Sequence, residues 1–390
     1  MTESKFDKIY EGLTKSLKDF SPPIDTNDSF IYSKKSSQFH IRREEIPVPE
    51  LIQFTLSNIL RCPAFGPGEK LRWGIPFRYK KFDCVFELQK FGLHLYISNN
   101  DEHQKEIIKI EKEIIGKLKR VIAKIEKQLL TPFAKHQICE RNVTIANHYH
   151  KLENRYVYFR DKAERKSMPK PNKDAKPDDN LFAGLNDLLK TRSELFYNTI
   201  AMLDAYFSFL EHLFVLILPF VEKQNNKIDL VQFISNFWSD KFKKLFDITK
   251  DTQAKKFYDQ LDEIKEHYRN FYAHGGFEKG GASLYFHFPG LGAIPAQLSN
   301  IKERPDFNFF PVEEDSFSHI CEVIDHFNEW LRSDYSGVKY AVKYAESGLN
   351  IPCDHENIRK IKDSMVSEEK FESLLKHYSD IDNMHTNMDY

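Results

Sequence analysis

The run TIAMLDAYFSFLEHLFVLILPF, residues 199–220, limits what this chain can fold into more than any other stretch. Apolar surface of that length has to leave water, either in a bilayer or against other helices. Asp204, Glu211 and His212 interrupt it. Ionisable groups at such depth in a bilayer are costly. The run therefore predicts a buried core helix, with no membrane association.

A core helix needs neighbours, and the C-terminal half supplies them. DLVQFISNFWSDKFKKLF, QAKKFYDQLDEIKEHYRNFYAH and SFSHICEVIDHFNEWLRSD repeat apolar residues at helical spacing. GGFEKGGASLYFHFPGLGAIPAQL lies among them and reads as a hairpin with Gly-rich turns. No strand–GxxxxGK[ST]–helix context surrounds it, so it is not a phosphate-binding loop.

The N-terminal half reads differently. LRWGIPFRYKKFDCVFELQKFGLHLYI is aromatic and branched, with breaks expected at Gly74, Pro76 and Gly92, which predicts a small antiparallel meander. EHQKEIIKIEKEIIGKLKRVIAKIEKQLL predicts a long helix with one solvated, mixed-charge face. ERKSMPKPNKDAKPDDN has almost nothing to bury and predicts a linker. The expected fold is thus mainly α: an α+β sensing or regulatory domain over 1–178, a helical bundle over 179–335 and a polar helical tail over 336–390.

Net charge narrows the partners. Lys+Arg total 57 against 58 Asp+Glu, so a polyanion site has to be a local patch. LRWGIPFRYKKF interleaves Arg72, Trp73, Arg78 and Tyr79, a pattern that can stack bases and bind phosphates. The plainer reading is a half-buried sheet whose outer face carries solubilising charge. Five dispersed cysteines read as reduced thiols of a cytoplasmic protein, and MTESKFDKIYEG lacks a signal-peptide pattern. His136, Cys139, His148 and His150 match no paired-ligand zinc spacing, so neither a metal nor another cofactor is expected.

One helix ends unusually, in HYRNFYAHGG. On an α-helical wheel Leu261, Ile264, Tyr268 and Phe271 form an apolar stripe. Glu263, His267, Asn270 and His274 share another face, where Asn270 can orient the His274 imidazole. Arg269 lies ~140° around the axis from His274. The two converge if the helix end frays, or if a second copy supplies one of them. Gly275-Gly276 then stops the helix, whose negative end favours imidazolium. Asp204, Ser208, Glu211 and His212 form a second polar stripe on the core helix. It faces either solvent or the Arg269/His274 turn, where Glu211 or Asp204 can orient Arg269.

Arginine with histidine suits phosphodiester cleavage by internal attack of an RNA 2′-hydroxyl, which needs no metal. The run R269-N270-F271-Y272-A273-H274, followed by Gly, resembles the R-[polar]-x-x-x-H motif of the HEPN superfamily of helical ribonucleases. That resemblance covers roughly residues 180–334. It implies a HEPN-like bundle in which Arg269 and His274 are catalytic and Asn270 supports them. It further implies a homodimer with a composite RNA-cutting site, and a role in antiviral defence or toxin-type growth arrest, with an antitoxin as a candidate partner. The alternatives are a non-catalytic HEPN-type RNA-binding or interaction module, and an unrelated helical scaffold whose His274 only meets the helix dipole.

Overall fold

The computed structural model describes residues 3–24, 36–98, 104–167, 181–222, 228–270, 283–290, 292–298, 305–306 and 314–387. It is mainly helical, with a small antiparallel sheet in the N-terminal region, as the sequence predicts. Packing divides it into two units, Met1–Gln137 with Asn383–Tyr390, and Ile138–Asp382.

In the first unit, α1 (Glu3–Ser16) and β1 (Phe20–Ser21) precede β2 (Ser36–Ile41). A short helix, α2 (Glu50–Gln53), continues as a π-helical turn over Phe54–Ile59. The meander β3 (Leu71–Tyr79), β4 (Phe82–Gln89) and β5 (Gly92–Ser98) follows. Strand order is β1-β3-β4-β5-β2, all antiparallel. Alternation sends Trp73, Ile75, Phe77, Tyr79, Cys84, Phe86, Leu93, Leu95 and Ile97 into one core.

The expected break at Gly74 does not occur, because the Phe65 ring lies directly on that glycine. A Cβ there would sit 2.2 Å from a ring carbon, so the strand runs through a position only glycine can fill. The charged helix α3 (Gln104–Ile125) closes the core with Ile107, Ile110, Ile114, Leu118, Val121 and Ile125 at three- and four-residue spacing. A π-helical turn over Glu126–Leu130 leads from it into α4 (Thr131–Cys139).

The second unit is built on a long helix. After β6 (Thr144–Ile145) and α5 (Tyr149–Ser167) comes α6 (Leu181–Val221), whose apolar part is the opening run of the sequence reading. The span Lys190–Val221 is long and apolar enough to cross a membrane, yet 67% of its most apolar window is buried inside the unit. It packs along α5 and against α7 (Leu230–Ser235), α8 (Trp238–Leu245), α9 (Thr252–Ile264) and α10 (Glu314–Arg332) in one core. The expected hairpin is β7 (Ser283–Phe288) with β8 (Gly292–Leu298), extended by β9 (Pro305–Asp306).

Two segments join this core that the sequence reading sets apart from it. Helix α5 binds α10 through a bidentate Arg160–Asp325 pair, so the packing boundary falls after Gln137 instead of after residue 178. The expected tail contributes α11 (Lys339–Glu346), β10 (Ile351–Pro352), α12 (His355–Ser364) and α13 (Glu368–Asn387). Ala341, Val342, Tyr344, Ile351, Ile361 and Phe371 are buried in the same core as Phe214 and Phe327, and β10 pairs with β6.

Candidate functional site

Helix α9 begins where Asp251 accepts hydrogen bonds from the Gln253 and Ala254 amides. Ala254, Phe257, Leu261 and Ile264 form its buried stripe, and half-buried Tyr268 packs on the same core. Leu261, Ile264 and Tyr268 therefore do what the wheel asks of them. After Ile264 the expected α-helix does not continue. Lys265–Asn270 is a π-helical turn, with i→i+5 hydrogen bonding. The α-helical premise behind the ~140° offset of Arg269 therefore fails within this segment.

The turn packs against α6. The Lys265 ammonium lies 5.8 Å from the Phe207 ring centroid on α6, 5.4 Å from that of Trp238 and 6.0 Å from that of Phe237. The turn that carries His267, Arg269 and Asn270 thus starts with a side chain set among the rings of Phe207, Phe237 and Trp238. The side chains of His267, Arg269 and Asn270, and residues 271–282 with His274 among them, lie outside the described residues.

The polar stripe of α6 is largely engaged in structure. Glu211 accepts a hydrogen bond from the Trp238 amide at 3.2 Å, capping α8, and its other oxygen lies 3.8 Å from the Lys241 ammonium. Lys241 is only 3% exposed, and burial lowers its pKa against the opposing pull of Glu211. His212 accepts a hydrogen bond from the His148 amide at 2.9 Å, with the two rings stacked. Ser208 donates back to the Asp204 carbonyl. Glu211 thus caps α8 and faces Lys241, whereas the sequence offers it as a residue that orients Arg269.

The Lys241 signal was in the sequence. Trp238, Lys241, Phe242 and Leu245 follow an i, i+3, i+4, i+7 pattern, which puts a lysine on an apolar face. The His148–His212 contact has no such signal, since 64 residues separate the two.

The basic and aromatic residues of β3 lie on opposite faces of the sheet. Trp73 and Tyr79 are buried in the core of the first unit, because strand alternation turns them away from the basic residues between them. Rings so buried cannot stack on bases. Arg72 pairs with Glu50 and Arg78 with Asp83. Among the described residues no group of three or more His, Cys, Asp or Glu side chains is placed to hold a metal ion. His136 and His150 are exposed, and His148 is held at His212.

No family model matches the chain, and no curated protein or solved structure does.

His212 gives a pH prediction. Burial, then His148 and Lys241, push its pKa down to about 4 from the ordinary 6.5. The folded state holds the neutral ring, so stability is complete above pH 6.5 and falls as pH drops from 6.5 towards 4, where only the unfolded chain takes up the proton. For a partly solvated ring the loss is on the order of 2 kcal/mol. Denaturant unfolding at pH 7.5, 6 and 5 is expected to show this slope, and H212Q is expected to flatten it. An unchanged slope in H212Q contradicts the assignment.

Proposed function

We propose that the chain is a metal-independent endoribonuclease of the HEPN type. The observation that carries this reading is the R269-N270-x-x-x-H274-G run at the exit of a buried core helix, in a unit that is a helical bundle. The π-helical turn adds support. Arg269 and Asn270 stand in that turn, which packs against the buried core helix α6.

In this mechanism a ribose 2′-hydroxyl attacks the adjacent phosphorus. The 2′-oxygen–phosphorus bond forms and the bond to the 5′-oxygen breaks, leaving a 2′,3′-cyclic phosphate and a 5′-hydroxyl. His274 moves the proton between these oxygens. Arg269 stabilises the charge growing on the non-bridging oxygens with its planar donor fork. Asn270 orients the imidazole. Glu211 and His212 serve the fold around them, and Asp204 and Ser208 line the same stripe.

The family resemblance supports a homodimer with a composite site, a cytoplasmic setting, and a defence or toxin-type effector held in check by an antitoxin or by the N-terminal unit. The test is cleavage of labelled RNA by the purified chain in chelator. Loss of cleavage in both R269A and H274A, with folding intact, is expected. RNA binding without cleavage by the wild-type chain overturns the nuclease reading and favours a non-catalytic module.

A further inference from the structure

Phe237 is 71% exposed although its backbone is hydrogen-bonded into the start of α8. Its carbonyl accepts from the Asp240 and Lys241 amides, and the next amide, of Trp238, is held by Glu211. Trp238 is fully buried, its ring 5.2 Å from that of Phe207 and 5.6 Å from that of Tyr258. A rigid base therefore presents a solvent-facing ring. The Lys265 ammonium lies 6.0 Å from the Phe237 centroid, and Lys265 opens the same π-helical turn that carries Arg269 and Asn270. An aromatic face, a cation and the Arg269 backbone are thus gathered at one helix end.

We propose that Phe237 and Lys265 form a nucleotide-positioning subsite for single-stranded RNA, Phe237 stacking on an unpaired base and Lys265 contacting a phosphate. This rests on the ribonuclease reading of the same turn. Single strands are specified because a base shows its face to a side chain only when it is unstacked from a duplex. The competing occupant is an apolar protein surface, because Val231 and Ile234, 54% and 48% exposed, precede Phe237 at i, i+3, i+6 spacing. The Lys265 ammonium beside the ring favours an aromatic ligand that carries an anion, which is a nucleotide. Asp240 and Glu266 are the exposed acidic groups on the same elements, and they work against binding of the backbone at large, which leaves stacking to position the strand.

Binding is measured with the full chain and a fluorescent single-stranded RNA, fully 2′-O-methylated so that it lacks the nucleophile the ribonuclease reading requires. F237A is expected to weaken binding by about tenfold to a hundredfold, the size of one base–aromatic stack. F237W restores it. K265A weakens binding and lowers its salt dependence, and K265R restores both. A duplex of the same sequence is expected to be little affected by F237A. With cleavable RNA, F237A raises KM more than it lowers kcat.

Wild-type affinity in both F237A and K265A overturns the subsite. A change in sedimentation of F237A with RNA affinity intact also overturns it, and assigns the surface to a protein partner. The two readings fail separately. Cleavage that persists in H274A, with RNA binding lost in F237A, leaves the subsite standing and removes the catalytic assignment. Cleavage lost in H274A, with binding intact in F237A, does the reverse.

Discussion

H274A is expected to lower RNA cleavage by about 10²- to 10⁴-fold, the range supplied by a positioned general acid–base group. R269A is expected to lose about 10²- to 10³-fold, as when a donor to developing charge is removed. R269K retains the charge but not the planar fork, so it recovers only part of the rate. Because the two residues serve one transition state, the double variant falls well short of the product of the single losses. Steady-state cleavage with each variant at equal folded concentration reads these effects. Rates within a few-fold of wild type in H274A contradict the mechanism. The same loss in E211A, beyond what its lower stability explains, would give Glu211 the supporting role of orienting Arg269.

The second large effect is structural. Arg141 and Glu222 form a deeply buried ion pair, with side chains 8% and 13% exposed and a separation of 2.7 Å. Arg141 also donates to the Ile228 carbonyl, and Glu222 accepts from the Ile228 amide, so one pair fastens the end of α6, the approach to α7 and the chain before β6. E222A leaves a buried guanidinium without its counter-charge, and about 3–5 kcal/mol of unfolding free energy is expected to be lost. Replacing both partners by apolar residues of similar volume is expected to recover much of this, because the pair itself carries a desolvation penalty. Chemical denaturation of the four proteins of the cycle measures it. A loss below about 1 kcal/mol in E222A would place the pair in the class of solvated surface bridges.

Much of the fold was legible because it rests on short-range periodicity. The run 199–220 needed burial over all but its polar stripe, and it became the centre of the second unit. Ile107, Ile110, Ile114, Leu118, Val121 and Ile125 keep three- and four-residue spacing, and they close the first core. Other features depended on distant contacts. Residues 336–382 look polar on average, yet Ala341, Val342, Tyr344, Ile351, Ile361 and Phe371 are buried among them, which an average conceals. The Lys/Pro-rich stretch near 170 reads as a boundary, but α5 before it is held to α10 by Arg160 and Asp325, 165 residues apart in sequence.

At the candidate site, the packing of the helix was legible in the sequence and the shape of its end was not. Leu261, Ile264 and Tyr268 anchor as the wheel predicts. KEHYRN carries no residue that distinguishes a π-helical turn from an α-helical one, so the widening at Lys265 could not be read from it. That widening reaches Asn270, and the stretch from there to His274 lies outside the described residues, so the expectation of a dimer stands as the sequence and the family resemblance frame it. Trp73 and Tyr79 failed as binding residues for an opposite reason: strand alternation alone decides which neighbours share a face, and it separated them from Arg72 and Arg78.

The most direct measurement is the chemistry of the cut ends, taken together with a substrate carrying one 2′-deoxynucleotide at the cleavage position. Attack by the 2′-hydroxyl, with Arg269 and His274 as the working groups, leaves 2′,3′-cyclic phosphate and 5′-hydroxyl termini, and the 2′-deoxy substrate stays intact at that position. Termini bearing 5′-phosphate and 3′-hydroxyl, or cutting of the 2′-deoxy substrate at the same bond, would contradict it.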